Sequence, residues 1–109
     1  MLLENPKIIN SNDDLASLVT SARNRKQTVV FTNGCFDIIH PGHIFILEQA
    51  KAKGDILIVG LNSDSSIKNF KSSDRPICKQ DDRAYVLAGL TCVDHIIIFD
   101  EDTPEKLII

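Results

Sequence analysis

Short apolar runs alternate with amphipathic stretches along this chain. Thr28-Val29-Val30-Phe31 predicts a strand over about 28–32. Asp55-Ile56-Leu57-Ile58-Val59-Gly60-Leu61 predicts a second, and Asp94-His95-Ile96-Ile97-Ile98-Phe99 a third. Nearly continuous apolar runs of this kind suit parallel strands covered on both faces. Helical spacing fills the intervals. Leu15, Leu18, Val19 and Ala22 follow the N-cap candidates Ser11-Asn12-Asp13-Asp14 and precede the basic end Arg23-Asn24-Arg25-Lys26. Ile44, Leu47 and Ala50 predict a helix opening at Pro41, with Gly54 as its C′ stop. Ala84, Leu87 and Ala88 predict the inward face of a helix over 80–90. Ser65 to Phe70 is at most a short helix, Lys71 to Lys79 a loop, and Thr103-Pro104-Glu105 a helix start. Residues 1–10 are expected to be an extended lead-in. The alternation predicts an α/β fold with a doubly wound parallel sheet. The 109 residues are enough for one domain, of which 1–27 form an N-terminal extension carrying one helix.

Composition narrows the function. A net charge of −3 supplies no basic field for nucleic acid. The lone Tyr85 and the absence of Trp argue against a base-stacking surface. No apolar run approaches the roughly 18 residues of a membrane span, and the first residues lack the apolar core of a signal peptide. Cys35, Cys78 and Cys92 are odd in number, with no Cys-x-x-Cys pair. They read as free thiols in a reducing compartment, which predicts a cytoplasmic protein.

The chemistry concentrates in Thr32-Asn33-Gly34-Cys35-Phe36-Asp37-Ile38-Ile39-His40-Pro41-Gly42-His43. Asp37, His40 and His43 recur every third residue where a strand passes into a helix. That junction lies at the carboxyl end of a parallel strand, where ligands bind. The helix N-terminus should offer free N–H groups and a positive dipole end to an anion. Two imidazoles added there suit a phosphate site that stabilises developing charge. Gly34 and Gly42 let backbone or ligand approach closely. A His-x-x-His metal pair is the competing reading, but no third ligand cluster follows it. A Gly-x-Gly-x-x-Gly fingerprint and a Gly-Lys-Ser/Thr loop are both absent.

A basic cluster follows: Lys68, Lys71, Arg75, Lys79 and Arg83. It could neutralise phosphates. Equally it could be a solvated loop, with Arg83 paired to a nearby carboxylate. Asn62 and Asp64 sit at another carboxyl end and suit either a ligand or a helix cap. Asp94 suits a turn or a ligand. The backbone N–H of Cys35 matters more than its thiol, because no Cys/His/Asn nucleophile set surrounds it. His95 reads as a packed or surface histidine.

The dodecamer resembles the signature of the cytidylyltransferase-like nucleotidyltransferases. Asn62-Ser63-Asp64, Lys71 with Arg75-Pro76-Ile77, Asp82-Arg83-Ala84, Val93-Asp94 and Phe99-Asp100-Glu101-Asp102-Thr103-Pro104 extend the resemblance. They favour the branch that makes ADP-heptose from D-glycero-β-D-manno-heptose 1-phosphate and ATP. The resemblance implies a Rossmann-like fold and direct transfer of AMP to the sugar phosphate, with Mg²⁺ on the nucleotide phosphates and pyrophosphate leaving. It assigns charge stabilisation to His40 and His43, and a phosphate clamp to Lys71. It puts nucleotide contacts at Thr32, Asn33, Gly34, Cys35, Phe36, Asp37, Gly42, Asn62, Asp64 and Asp94. Arg75 and Arg83 join Lys71 on the substrate phosphate, while Asp37 orients the motif or approaches the metal. A heptose 7-phosphate kinase is the implied functional neighbour.

Two rival expectations stand beside this one. They are a cytidylyltransferase acting on glycerol 3-phosphate with CTP, and a non-catalytic nucleotide-binding or assembly module. Two departures matter. Ser72 stands where the family has Gly after its lysine. The family's fourth and fifth strands and its Ser-Thr-Thr-like helix start are absent. In the family's 3-2-1-4-5 sheet order, that puts the 28–32 strand at an edge with Val29, Val30 and Phe31 poorly covered. The expectation is a shortened chain, or one that completes its sheet through another chain such as a second copy.

Overall fold

The computed structural model describes residues 4–70 and 76–100. Four strands and four helices follow in the order β1 (Ile8–Ile9), α1 (Asn12–Asn24), β2 (Val29–Gly34), α2 (Pro41–Lys51), β3 (Ile56–Asn62), α3 (Asp64–Phe70), α4 (Gln80–Ala88) and β4 (His95–Phe99). The strands form one parallel sheet in the order β1-β4-β3-β2. This is the predicted α/β architecture with strands crossing through helices. No helix among the described residues is long and apolar enough to cross a membrane.

Alternation along the strands divides the core into two layers. Leu57, Val59, Leu61 and Ile96 point to the face covered by α2 and α4, where they pack with Leu47, Ala84, Leu87 and Ala88. Ile58 and Ile97 point to the other face, against Leu15 of α1 and the partly buried Leu18 and Val19. Both faces are therefore covered, and the apolar runs are continuous for that reason.

Local signals set most helix boundaries. Ser11 caps α1, its hydroxyl accepting the Asp14 N–H at 3.1 Å, with Asp13 and Asp14 in the first turn and Arg23 in the last. Pro41 opens α2. The stop of α2 differs from expectation. The helix ends at Lys51 with Ala52 as C-cap, and Gly54 does not have positive φ. A Cβ on Gly54 would lie 2.7 Å from Val30 Cγ2 and 2.9 Å from the Thr28 carbonyl oxygen. Glycine is needed there for close approach to β2, not for a left-handed turn.

The lead-in also holds more than expected. Ile8 and Ile9 pair with Ile96 and Ile97, and the Ile96 N–H donates to the Lys7 carbonyl at 2.8 Å. Two apolar residues carry no periodicity, so only the existing edge of β4 makes them a strand. At the opposite side, β2 pairs with β3 alone among the described strands. Val29, Val30 and Phe31 are half-buried, as the edge position predicts. A hollow of about 270 Å³ opens beside them, lined by Leu15, Val19, Val29, Phe31 and Ile58. The expected loop around Ser72 and helix start at Thr103 lie outside the described residues.

Leu57 is fully buried at the centre of the larger layer. Leu57→Ala is expected to cost about 2–5 kcal/mol, the usual range for a truncated core leucine. Denaturant unfolding of the variant against wild type measures it, as a lowered midpoint with an unchanged slope.

Candidate functional site

The carboxyl ends of β2 and β3 lie side by side, with Gly34 opposite Leu61. Beyond Gly34 the chain turns sharply. Phe36 adopts φ 47°, in the left-handed region that a bulky side chain seldom occupies. Its ring folds back over Gly34, where a Cβ would come within 2.7 Å of it, and meets His43 edge-on at 5.5 Å between centroids. Glycine at 34 is therefore required by Phe36.

The two histidines close the start of α2. His40 is its N-cap, and the His40 Nδ1 accepts the Gly42 N–H at 3.0 Å. His43 Nδ1 accepts the His40 N–H at 3.2 Å. The rings stack at 3.9 Å between centroids. A Cβ on Gly42 would lie 2.8 Å from the His40 ring, so this fold-back requires glycine too. The expected free N–H groups are thus partly occupied by the histidines themselves. An Nδ1 that accepts must carry its lone pair, so each neutral ring holds its proton on Nε2. Both Nε2–H groups then remain as donors on a solvent-accessible surface. Burial, followed by the field of His40, lowers the His43 pKa from its ordinary value.

Asp37 and Arg83 connect this turn to the rest of the site. Asp37 is buried, and its carboxylate accepts the Ile77 N–H at 2.9 Å on each oxygen and the Cys78 N–H at 2.8 Å. Arg83 is 1% exposed. Its Nη1 donates to the carbonyls of Cys35 at 2.6 Å and Asn62 at 2.8 Å, and its Nε to that of Cys78 at 2.9 Å. Its Nη2 pairs with the Asp64 carboxylate at 2.8 Å. One guanidinium thereby ties the ends of β2 and β3 to the starts of α3 and α4.

Thr32, Asn33, Gly34, Cys35 and Phe36, at and just past the end of β2, lead into His40, Gly42 and His43 at the start of α2, with Asp37 buried between them. Four expected ligand contacts, at Arg83, Asn62, Asp64 and Asp94, are corrected. Arg83 is an internal clamp: it is 1% exposed, and four of its five N–H donors bond the carbonyls of Cys35, Asn62 and Cys78 and the Asp64 carboxylate. Asn62 is buried, its Oδ1 accepting the Cys35 thiol at 3.9 Å and its Nδ2 donating to Ser66 Oγ at 3.1 Å. Asp64 faces Arg83 rather than a ligand. Asp94 lies at the amino end of the sheet, opposite the histidines, where it accepts Lys51 Nζ at 2.6 Å and the Leu57 N–H at 2.7 Å. Burial there raises its pKa, but the Lys51 ammonium and the Leu57 N–H outweigh burial and leave it lowered. Lys71 and Arg75 lie outside the described residues.

The sequence reading missed Ser63 and Gln80. Ser63 Oγ accepts the Ser66 N–H at 3.2 Å and caps α3, which its place before Asp64 could have signalled. Gln80 Oε1 accepts the Asp64 N–H at 2.9 Å, a contact without any sequence signature. Among the described residues, no group of three His, Cys, Asp or Glu side chains could hold a metal ion.

A family model described as cytidylyltransferase-like matches residues 31–109. The chain is 54% identical over 103 residues to the bifunctional protein HldE of Helicobacter pylori strain Shi470, and 57% identical over 103 residues to that of Helicobacter acinonychis. These matches cover 94% of this chain and 21% of each relative, so the chain spans about a fifth of their length. A lipopolysaccharide core biosynthesis protein from Thermoplasma volcanium superposes with a TM-score of 0.67 at 32% identity, covering 75% of this chain and 66% of that one.

Two outcomes test the geometry. Arg83→Met should lower the unfolding free energy by at least about 2 kcal/mol, because several buried acceptors lose their donor together. Asp64→Asn removes one charge but keeps an acceptor on a part-exposed side chain, and three carbonyls still hold the guanidinium, so it should cost less than Arg83→Met. Equal losses in denaturant titrations would contradict the clamp. The second outcome concerns pH. The folded state lowers the His43 pKa, so its contribution is present above pH 6.5 and is lost as pH falls through the lowered value. His95 is also lowered, by burial first, and acts with the same sign. Unfolding midpoints of wild type and His43→Gln should therefore converge between pH 7 and pH 5, and parallel curves would exclude the effect.

Proposed function

We propose that this chain, which belongs to the cytidylyltransferase-like family, transfers AMP from ATP to D-glycero-β-D-manno-heptose 1-phosphate, giving ADP-heptose and pyrophosphate. The observation that carries the reading is the stacked His40–His43 pair at the start of α2, beside the carboxyl ends of parallel strands, with both Nδ1 atoms engaged by backbone N–H groups, which leaves the Nε2 side of each ring for a ligand. The sugar is suggested by identity to the HldE proteins and by the structural neighbour, a lipopolysaccharide core biosynthesis protein. The word bifunctional in the relatives' name supports a second activity in the longer chain, for which a heptose 7-phosphate kinase is the natural partner. The proposed product is a precursor for lipopolysaccharide core or surface glycan, made in the cytoplasm.

In this reading a phosphate oxygen of the sugar 1-phosphate attacks the α-phosphorus of ATP. A new P–O bond forms, the bond from the α-phosphorus to the bridging oxygen breaks, and pyrophosphate leaves with that electron pair. Catalysis is positioning and charge stabilisation. The Nε2–H groups of His40 and His43 donate to the α-phosphate and the leaving group as charge builds. Their backbone bonds hold the donors in place beforehand, so little reorganisation accompanies the reaction. Thr32, Asn33 and the turn at Gly34-Cys35-Phe36 border the nucleotide, and Lys71 and Arg75 meet the phosphate of the sugar. Arg83 and Asp37 support this surface from beneath.

Mg²⁺ is expected with the triphosphate, where it neutralises phosphate charge. Among the described residues, the side chains offer it no cage. Asp37 is the nearest candidate, and its oxygens already accept backbone N–H groups. The outer edge of β2 is where strands from a longer chain or a second copy would join the sheet.

The test is pyrophosphate release with Mg²⁺ and heptose 1-phosphate, comparing ATP with CTP. Release with ATP and little with CTP is expected. His43→Ala should reduce it by about 10²-fold or more, as loss of a preorganised donor does. Faster release with CTP would redirect the assignment to a cytidylyltransferase, and an unchanged rate would remove His43 from catalysis.

A further inference from the structure

We infer that Phe36 is a positioning residue for His43. Its ring, carried by a left-handed turn, holds the imidazole where Nδ1 meets the His40 N–H and Nε2 is left for a ligand. The inference rests on the proposed transfer for its kinetic readout alone. Among the described residues, two that are not glycine have positive φ, Lys26 at 59° and Phe36 at 47°. Lys26 has a local explanation. It follows Arg25, the C-cap of α1, and the next N–H, that of Gln27, returns to the Ala22 carbonyl at 2.9 Å, so this left-handed residue stops a helix. Phe36 stops no helix: it lies between the end of β2 at Gly34 and the His40 cap of α2. Glycine or asparagine would take this conformation at lower cost. A phenylalanine holds it under strain, which persists only where the surroundings fix it.

Those surroundings are what the ring touches. It packs against the larger core layer, it covers Gly34 so closely that a Cβ there would come within 2.7 Å, and it meets the His43 ring at 68° with 5.5 Å between centroids. His43 then stacks on His40 at 3.9 Å. Ring contacts therefore lead from the core through Phe36 and His43 to the exposed His40. The hydrogen bond at Nδ1 fixes one atom of the His43 ring, but by itself it leaves the imidazole plane free to swing. The T-shaped contact removes that freedom, because aromatic pairs favour edge-to-face over other tilts. Burial heads the causes that lower the His43 pKa, in keeping with an apolar ring against it. Phe36 thus acts on the proposed chemistry through the aim of the His43 donor, without touching the reacting atoms.

The experiment compares wild type with Phe36→Leu and Phe36→Gly, each alone and combined with His43→Ala. Phe36→Leu keeps an apolar side chain and removes the ring. Phe36→Gly also removes the backbone strain, and it carries the test if Phe36→Leu does not fold. Imidazole nitrogen chemical shifts of isotope-labelled chain are read at a pH where His43 is neutral, and pyrophosphate release is followed with ATP, Mg²⁺ and heptose 1-phosphate. Wild type should show His43 as the Nε2–H tautomer, and both variants a mixture with the Nδ1–H form. Without the ring, kcat should fall by about tenfold, within the range for a displaced catalytic group, with KM for both substrates little changed. In the His43→Ala background neither substitution should slow release further, because the two residues act as a unit. The wild-type tautomer in both variants, an unchanged kcat, or a second loss of that size added to His43→Ala would each overturn the inference. If wild type itself releases no pyrophosphate, the proposed transfer fails, while the tautomers still decide the role of Phe36.

Discussion

The buried guanidinium of Arg83 is the constraint on which the rest of the site depends. The carbonyls of Cys35, Asn62 and Cys78 point toward one spot from three segments, and the Asp64 carboxylate joins them. Left without a donor, these acceptors would carry a heavy desolvation penalty. Arg is suited to the position because it supplies several N–H donors in a fixed plane and stays charged. Lysine would concentrate its donors at one atom and could not span the four acceptors. The end of β2, the end of β3 and the starts of α3 and α4 therefore meet at distances dictated by one side chain.

Above this clamp, the chemistry depends on how the fold treats two histidines. A helix N-terminus normally leaves N–H groups for an anion. Here the imidazoles take part of that role and redirect it. Their Nδ1 atoms satisfy backbone donors, and their Nε2–H groups present equivalent donors further out. Extra reach comes with a fixed tautomer. Protonation of His43 at Nδ1 would set an N–H against the His40 N–H, in keeping with its lowered pKa, whose causes are burial and then the field of His40.

The sheet is covered unevenly. One core layer packs against α2 and α4, and the other against α1. At the β2 edge this leaves half-buried apolar residues and the hollow beneath Leu15 and Val19. An edge of that kind is a natural place for further chain to pair. The relatives, about five times longer than this chain, are consistent with that arrangement.

The apolar runs by themselves determined three strands, because a parallel sheet buried on both faces leaves no room for polar residues there. Helical spacing determined the inward faces at Leu15 and Ala22, at Leu47, and at Ala84, Leu87 and Ala88. The histidine motif was legible because its residues are contiguous, so one junction sufficed to bring them together. Tertiary structure alone decided the roles of residues whose partners are distant in sequence. Arg83 and a phosphate ligand look alike in sequence, since both are arginines near a strand end; only three converging carbonyls make one of them a clamp. Asp94 suited a turn or a ligand equally in sequence, but the strand direction puts it at the amino end of the sheet, where it bonds Lys51 and the Leu57 N–H. Ile8 and Ile9 became a strand only because β4 offered an open edge. Local sequence carries periodicity and capping, which act within a few residues, whereas a side chain's partners are set by which segments the fold brings within about 3 Å of it.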